Sequence, residues 1–152
     1  MNVAIDAIVA ARRRIEDVHR GVNGYPARRV SASVLLVEDD PGVQKLVHRE
    51  LLKLGLEVRL ADTSAAAAKQ VDDVDMVVLD LTLPDSSPDA TLAWARLLRL
   101  PVLITSLHPH AEWLAAKYGF ACWPKACGDV AGLARFVVAM LRDRIKAVHL
   151  VA

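Results

Sequence analysis

Five short apolar runs, "SVLLV", "LEVRL", "DMVVLD", "PVLIT" and "FACW", alternate with segments of helical period from about residue 33 onward. Such alternation predicts an α/β domain with a parallel sheet, because parallel neighbours need long crossovers and helices supply them. Between the first two runs, Val43, Leu46, Val47, Leu51 and Leu54 recur at helical spacing, and Gly55 stands where that helix would stop. "DTSAAAAKQV" offers capping residues followed by strong helix formers. "SSPDATLAWARLLRL" has Ser87 as a cap, Pro88 at the first helical position and Asp89 near the positive end of the dipole. "PHAEWLAAKYG" ends in glycine, and "GDVAGLARFVVAMLRDR" sets Val130, Leu133, Val137 and Leu141 on one face, so five strands and five helices are expected.

Residues 1–32 stand outside this alternation. Ile5, Ile8, Ile15 and Val18 fall on one helical face opposite Arg13, Glu16 and Asp17, and "GVNGYPARRVSAS" then reads as a linker. The expected organisation is an amphipathic helix and linker over 1–32, a main domain over 33–147 and a tail over 148–152. The first helix is expected to pack on its own domain, to pair with another chain, which would make a homodimer, or to be disordered.

The chain has 152 residues, 54% of them hydrophobic, enough for one substantial core. A formal net charge of +1 gives no general field to recruit nucleic acid or an anionic membrane. No run approaches the roughly 20 apolar residues of a membrane span, and the arginines follow the first apolar stretch instead of preceding it, the reverse of a signal peptide. Cys122 and Cys127 have no partners at metal-site spacing and read as reduced thiols of a cytoplasmic protein. Trp94, Trp113 and Trp123 read as core or half-buried packing residues, and the histidines flanking Pro109 as solvated polar groups. No nucleotide-binding, zinc-protease or serine-hydrolase motif occurs.

Chemistry concentrates at the strand ends, where open parallel sheets bind their ligands. The first strand runs into Glu38, Asp39 and Asp40; the third ends at Asp80; the fourth ends at Thr105 and Ser106; Lys125 follows the fifth. A carboxylate ending a buried strand is costly unless a cation meets it. Clustered acids raise one another's pKa, and a hard divalent ion that keeps some of its waters, Mg2+ above all, suits a few carboxylates better than a complete cage would. Asp40, before "PG", reads as a helix cap and is left out of the set.

"VLLVEDDPGVQKLV", "DMVVLDLTLPDS", "PVLITS" and the lysine after the fifth strand together resemble the receiver domain of bacterial two-component response regulators, the CheY-like superfamily. The resemblance implies a flavodoxin-like, doubly wound five-stranded parallel sheet of order 2-1-3-4-5 with helices on both faces. It implies Asp80 as phosphoacceptor, served by a sensor histidine kinase or phosphotransfer protein. Asp39 and Asp80 would bind Mg2+, with Glu38 acting directly or through water and the backbone carbonyl of Thr82 adding an oxygen. Lys125 would pair with Asp80 and then with the phosphoryl group. Ser106 would be the switch hydroxyl, with Thr105 as the alternative.

The chain departs from that pattern at several points. Pro124 precedes Lys125 where the family usually has proline after the lysine, which would shift the lysine's reach. Cys122 takes a place commonly aromatic, bulky Leu107 follows Ser106, and the glycine expected after Asp80 is absent. The chain ends soon after the fifth helix, so a single-domain regulator is expected, signalling through a downstream protein target. It would be a switch and not an enzyme, with autodephosphorylation at most. The alternative is a receiver-like interaction or dimerisation module with phosphorylation uncoupled. An aspartyl-phosphate hydrolase reading of "LDLT" needs a second acid where Thr82 stands.

Overall fold

The computed structural model describes residues 31–150, with side chains as far as residue 144. The expected N-terminal helix, and the homodimer built on it, lie outside the described residues. Strands β1 (Ser33–Val37), β2 (Glu57–Ala61), β3 (Met76–Asp80), β4 (Val102–Ser106) and β5 (Ala121–Pro124) form one parallel sheet of order β2-β1-β3-β4-β5. The α-helices are α1 (Pro41–Lys53), α2 (Ser64–Ala68), α3 (Pro88–Leu97), α4 (Ala111–Lys117) and α5 (Val130–Leu150), with 3-10 turns at Val71–Asp73 and Lys125–Cys127. Among the described residues, the sheet order and the five strands and five α-helices are those expected from residue 33 onward, although α5 runs three residues past position 147.

Strand periodicity divides the core in two, because alternate side chains point to opposite faces. Leu35, Val37, Val77, Leu79, Val102 and Ile104 meet α2, α3 and α4 through Ala67, Leu92, Ala95, Leu114 and Ala115. Val34, Leu36, Met76, Val78 and Leu103 meet α1 and α5 through Val47, Leu51, Leu133, Val137 and Leu141. The three central strands are buried at every residue, which explains why their sequences run apolar without a polar alternate. Edge strand β2 is largely exposed and carries Glu57 and Arg59, charges that discourage further strand pairing.

Local signals set the helix starts. Asp40 accepts the Val43 amide at 2.9 Å, Thr63 the Ala66 amide at 3.0 Å and Ser87 the Ala90 amide at 3.2 Å, each satisfying an otherwise unpaired first-turn donor. Gly55, at φ 80°, turns the chain out of α1 in a conformation that glycine adopts without strain. Among the described residues, no helix is long and apolar enough to cross a membrane.

Two apolar expectations are corrected. Leu46 and Leu54 of the expected α1 face are 44% and 46% exposed. Leu46 sits one residue, about 100° of rotation, from the Val47–Leu51 stripe that meets the sheet, and Leu54 is the C-cap residue where the chain turns away. Trp113 is 64% exposed, with the Lys117 ammonium 5.6 Å from its ring centre, whereas Trp94 and Trp123 pack partly buried against the two core layers. Leu51→Ala is expected to lower stability by about 2–5 kcal/mol, a cavity cost, while Leu46→Ala stays within about 0.5 kcal/mol of the native chain. Urea denaturation of both variants checks this, and equal losses would contradict the placement of α1.

Candidate functional site

The acids meet because of strand register. Val37 of β1 is paired with Leu79 of β3, so the following residues, Glu38 and Asp80, come abreast where the strands end. Glu38 continues the Val34–Leu36 side of β1 and Asp80 the Met76–Val78 side of β3, so both lie on the α1/α5 face. They are 2% and 3% exposed. Asp39, exposed, completes a trio whose carboxylate oxygens lie within 4.8 Å of one another.

Lys125 reaches this point from the 3-10 turn after β5, passing the end of β4. Its Nζ donates to Asp80 Oδ2 at 2.8 Å and to Glu38 Oε2 at 2.5 Å. Pro124 ahead of the lysine therefore does not deny it the acids, contrary to the shift in reach expected from the residue order. The remaining oxygens are held by backbone amides, Asp80 Oδ1 by Thr82 at 3.0 Å and Glu38 Oε1 by Asp40 at 3.1 Å. Among the described residues, no buried side-chain polar atom lacks a partner.

One ammonium faces three carboxylates, which leaves two negative charges unmatched. Burial pushes the Glu38 carboxyl up from the usual range, and the hydrogen bond and charge of Lys125 only partly offset it. Burial by itself would lower the Lys125 pKa, but its hydrogen bonds to Asp80 and Glu38 outweigh that and hold it above the ordinary lysine value. The donor set fits a hard divalent cation: oxygen donors only, two excess negative charges and an exposed member, Asp39, through which water has access. Both Glu38 oxygens already have donors, so Glu38 would have to give up Lys125 or its loop amide to ligate directly.

The two candidate hydroxyls are both buried and placed differently. Thr105 is the register partner of Asp80 on β4. Ser106 Oγ accepts the His108 amide at 3.1 Å and lies 3.3 Å from Thr82 Oγ1. Since the Thr82 amide binds Asp80, Ser106 connects with the acid through the first residues of the β3–α3 loop. Leu107, beside it, stands largely in solvent at 69% exposed. Cys122 and Cys127 are free thiols, as expected. His108 Nδ1 accepts the His110 amide at 3.1 Å, a local turn at the start of α4.

Sequence reading missed two participants. Asp85, in the β3–α3 loop, accepts the Ser64 amide at 2.9 Å, the Ala65 amide at 3.0 Å and the Ser64 hydroxyl at 2.8 Å, fastening that loop to the start of α2. Those amides, Ser64 first, hold its carboxyl below the usual range. Gln44 in α1 donates from Nε2 to the carbonyls of Glu38 at 3.1 Å and Ala61 at 3.4 Å. Both lie inside runs that carry the resemblance but at positions given no role by it, and the Asp85 partners are 20 and 21 residues away in sequence. No local signal marks either one.

No family model matches the sequence, and no curated protein does either. Solved structures do. A CheY-like response regulator receiver domain protein from Methanospirillum hungatei JF-1 superposes with TM-score 0.69 at 19% identity, over 77% of this chain and 98% of that one. A signal receiver domain from Vibrio parahaemolyticus gives 0.66 at 25%, over 80% and 98% of the two chains. The signal receiver domain of a signal transduction histidine kinase from Syntrophus aciditrophicus gives 0.65 at 19%, over 74% and 92%. The sheet order is the one the sequence resemblance implied, and the chain has the fold of these CheY-like receiver domains.

Proposed function

We propose that this chain is a receiver domain acting as a phosphoacceptor switch, in which Asp80 takes a phosphoryl group from a histidine kinase or phosphotransfer protein and a downstream protein reads the result. The observation that carries this reading is the buried pairing of Lys125 with Asp80 and Glu38, beside the exposed Asp39. Buried ion pairs are poor stabilisers, and a buried cluster that also leaves net charge suits a ligand-binding role better than a structural one. Asp39 and Asp80 would hold Mg2+, assisted by Glu38 and by the Thr82 carbonyl, and the ion would neutralise charge on the phosphoryl oxygens.

In the transfer, an Asp80 carboxylate oxygen bonds to phosphorus as the bond from phosphorus to the donor imidazole nitrogen breaks. That nitrogen keeps the electron pair. Lys125 then exchanges a carboxylate partner for a phosphoryl oxygen, and a hydroxyl from Ser106, or from Thr105, turns toward the new charge. Hydrolysis of the acyl phosphate returns inorganic phosphate, the limit of any catalysis by the chain itself. Partners would be met in the cytoplasm, where free thiols persist.

Incubating the chain with acetyl phosphate and Mg2+ should add one phosphoryl group by intact mass, and the gain should vanish with EDTA or in Asp80→Asn. No gain in a folded chain would favour the interaction-module reading instead.

Electrostatics supplies a second test, begun in metal-free buffer without chelator. The Lys125 pKa is raised in the folded chain, so its contribution to stability is complete below the ordinary lysine value of 10.5 and is lost as pH rises through the folded value. Lys125→Met should cost about 3–5 kcal/mol near neutrality, since it strands two buried carboxylates. The Glu38 pKa is raised as well, from 4.5, so acidification protonates it and the deficit of the variant should shrink as pH falls toward that range. Added Mg2+ should shrink it too. Denaturation midpoints across pH decide, and a deficit independent of both pH and Mg2+ would contradict the charge account.

A further inference from the structure

Gln44 stands on the first turns of α1, half-buried, and turns its amide back toward the strand ends. Its Nε2 group has two hydrogens and meets two carbonyl oxygens, Glu38 at 3.1 Å and Ala61 at 3.4 Å. The Ala61 carbonyl also takes the Glu38 amide at 2.9 Å, so β1 and β2 are joined where both leave the sheet. The Glu38 carbonyl belongs to the peptide unit that joins Glu38 to Asp39. Whatever fixes that oxygen fixes the plane of the peptide, and with it the direction in which Asp39 leaves the chain.

The rest of the acidic loop is held at other points. The Glu38 carboxylate takes the Asp40 amide, and the Asp40 carboxylate takes the Val43 amide. Asp39 is the exposed acid of the trio, and the described hydrogen bonds tie its neighbours and not its carboxylate. Its place within 4.8 Å of Glu38 and Asp80 is therefore set through the backbone on either side of it.

We propose that Gln44 is a positioning residue for the divalent-cation site: by holding the Glu38 carbonyl it aims Asp39 at Asp80. The inference rests on the metal-binding reading given above. Groups that orient a metal ligand without touching the metal commonly affect affinity by about 10–100-fold. Action through one neutral hydrogen bond to the backbone belongs at the lower end of that range.

The test is Mg2+ titration of the full chain by calorimetry, with no phosphodonor present. Gln44→Met, similar in volume but without a donor, should bind Mg2+ about tenfold more weakly than the native chain. In an Asp39→Asn background the same substitution should change affinity less than about twofold, because the residue it acts through is already impaired. Gln44→Glu is the second variant: it too lacks the donor, yet it adds a negative charge that by itself would attract Mg2+. Weaker binding in that variant supports positioning, while tighter or unchanged binding overturns it. Equal losses from Gln44→Met in both backgrounds, or an affinity unchanged by it, also overturn the proposal and leave the metal site standing. A native chain that does not bind Mg2+ overturns both.

Discussion

A lysine ammonium between two buried carboxylates is the interaction on which the rest of this structure depends. Without Lys125, Glu38 and Asp80 would end two adjacent, wholly buried strands as unpaired charges. Each would then face a desolvation cost of several kcal/mol, a large share of the stability of an ordinary domain. Lys125 lies 45 residues from Asp80 and 87 from Glu38, so the pairing needs β1, β3, β4 and β5 in place together. Sheet order and site are thus one constraint: a different order of strands would separate the ammonium from the acids.

The apolar sheet supplies rigidity, and the loops at its carboxyl edge supply polar groups already aimed. Asp85 ties the β3–α3 loop to α2, Gln44 ties the acidic loop to the end of β2, and Asp40 caps α1 immediately after the acids. Each tie uses a backbone amide or carbonyl, so the loops are braced where they leave the strands. The helices need little intrinsic stability for this. The short α2 gets its first-turn partners from Thr63 and Asp85, and its buried Ala67 lies against the central core.

Much of this was legible in the sequence, for physical reasons that also explain the gaps. Buried parallel strands read as apolar runs, caps read as Ser, Thr or Asp before helix formers, and a carboxylate at the end of such a run must find a cation, while the choice of Lys125 as that cation came from the family resemblance. Exposure on helices was less legible. The spacing of Leu46, Val47, Leu51 and Leu54 spans an arc wider than the stripe that touches the sheet, and only tertiary packing selects the stripe. Gln44 and Asp85 were hidden because glutamine on a helix and aspartate after proline are ordinary surface residues until a distant carbonyl or amide is brought to them. The order of Pro124 and Lys125 misled for the opposite reason. A local rule about the peptide before a lysine says little about a long side chain whose end point is set by charge.

The resting arrangement also bears on how a switch would work here. Ser106 already has partners, the His108 amide and the Thr82 hydroxyl, so turning toward Asp80 means giving up two hydrogen bonds worth about 0.5–1.5 kcal/mol each. A bond from the same hydroxyl to a phosphoryl oxygen is charge-assisted and about twice as strong as a neutral one. Gain and loss are then of similar size. On the proposed function, an exchange so nearly balanced would let one added phosphoryl charge decide between two packings of the β4–α4 loop, whereas a hydroxyl without partners would have nothing to hold it in the resting state. Because the Thr82 amide binds Asp80 while its hydroxyl meets Ser106, the acid and the hydroxyl share a neighbour. A change in charge at Asp80 would have Thr82 as a short path to Ser106.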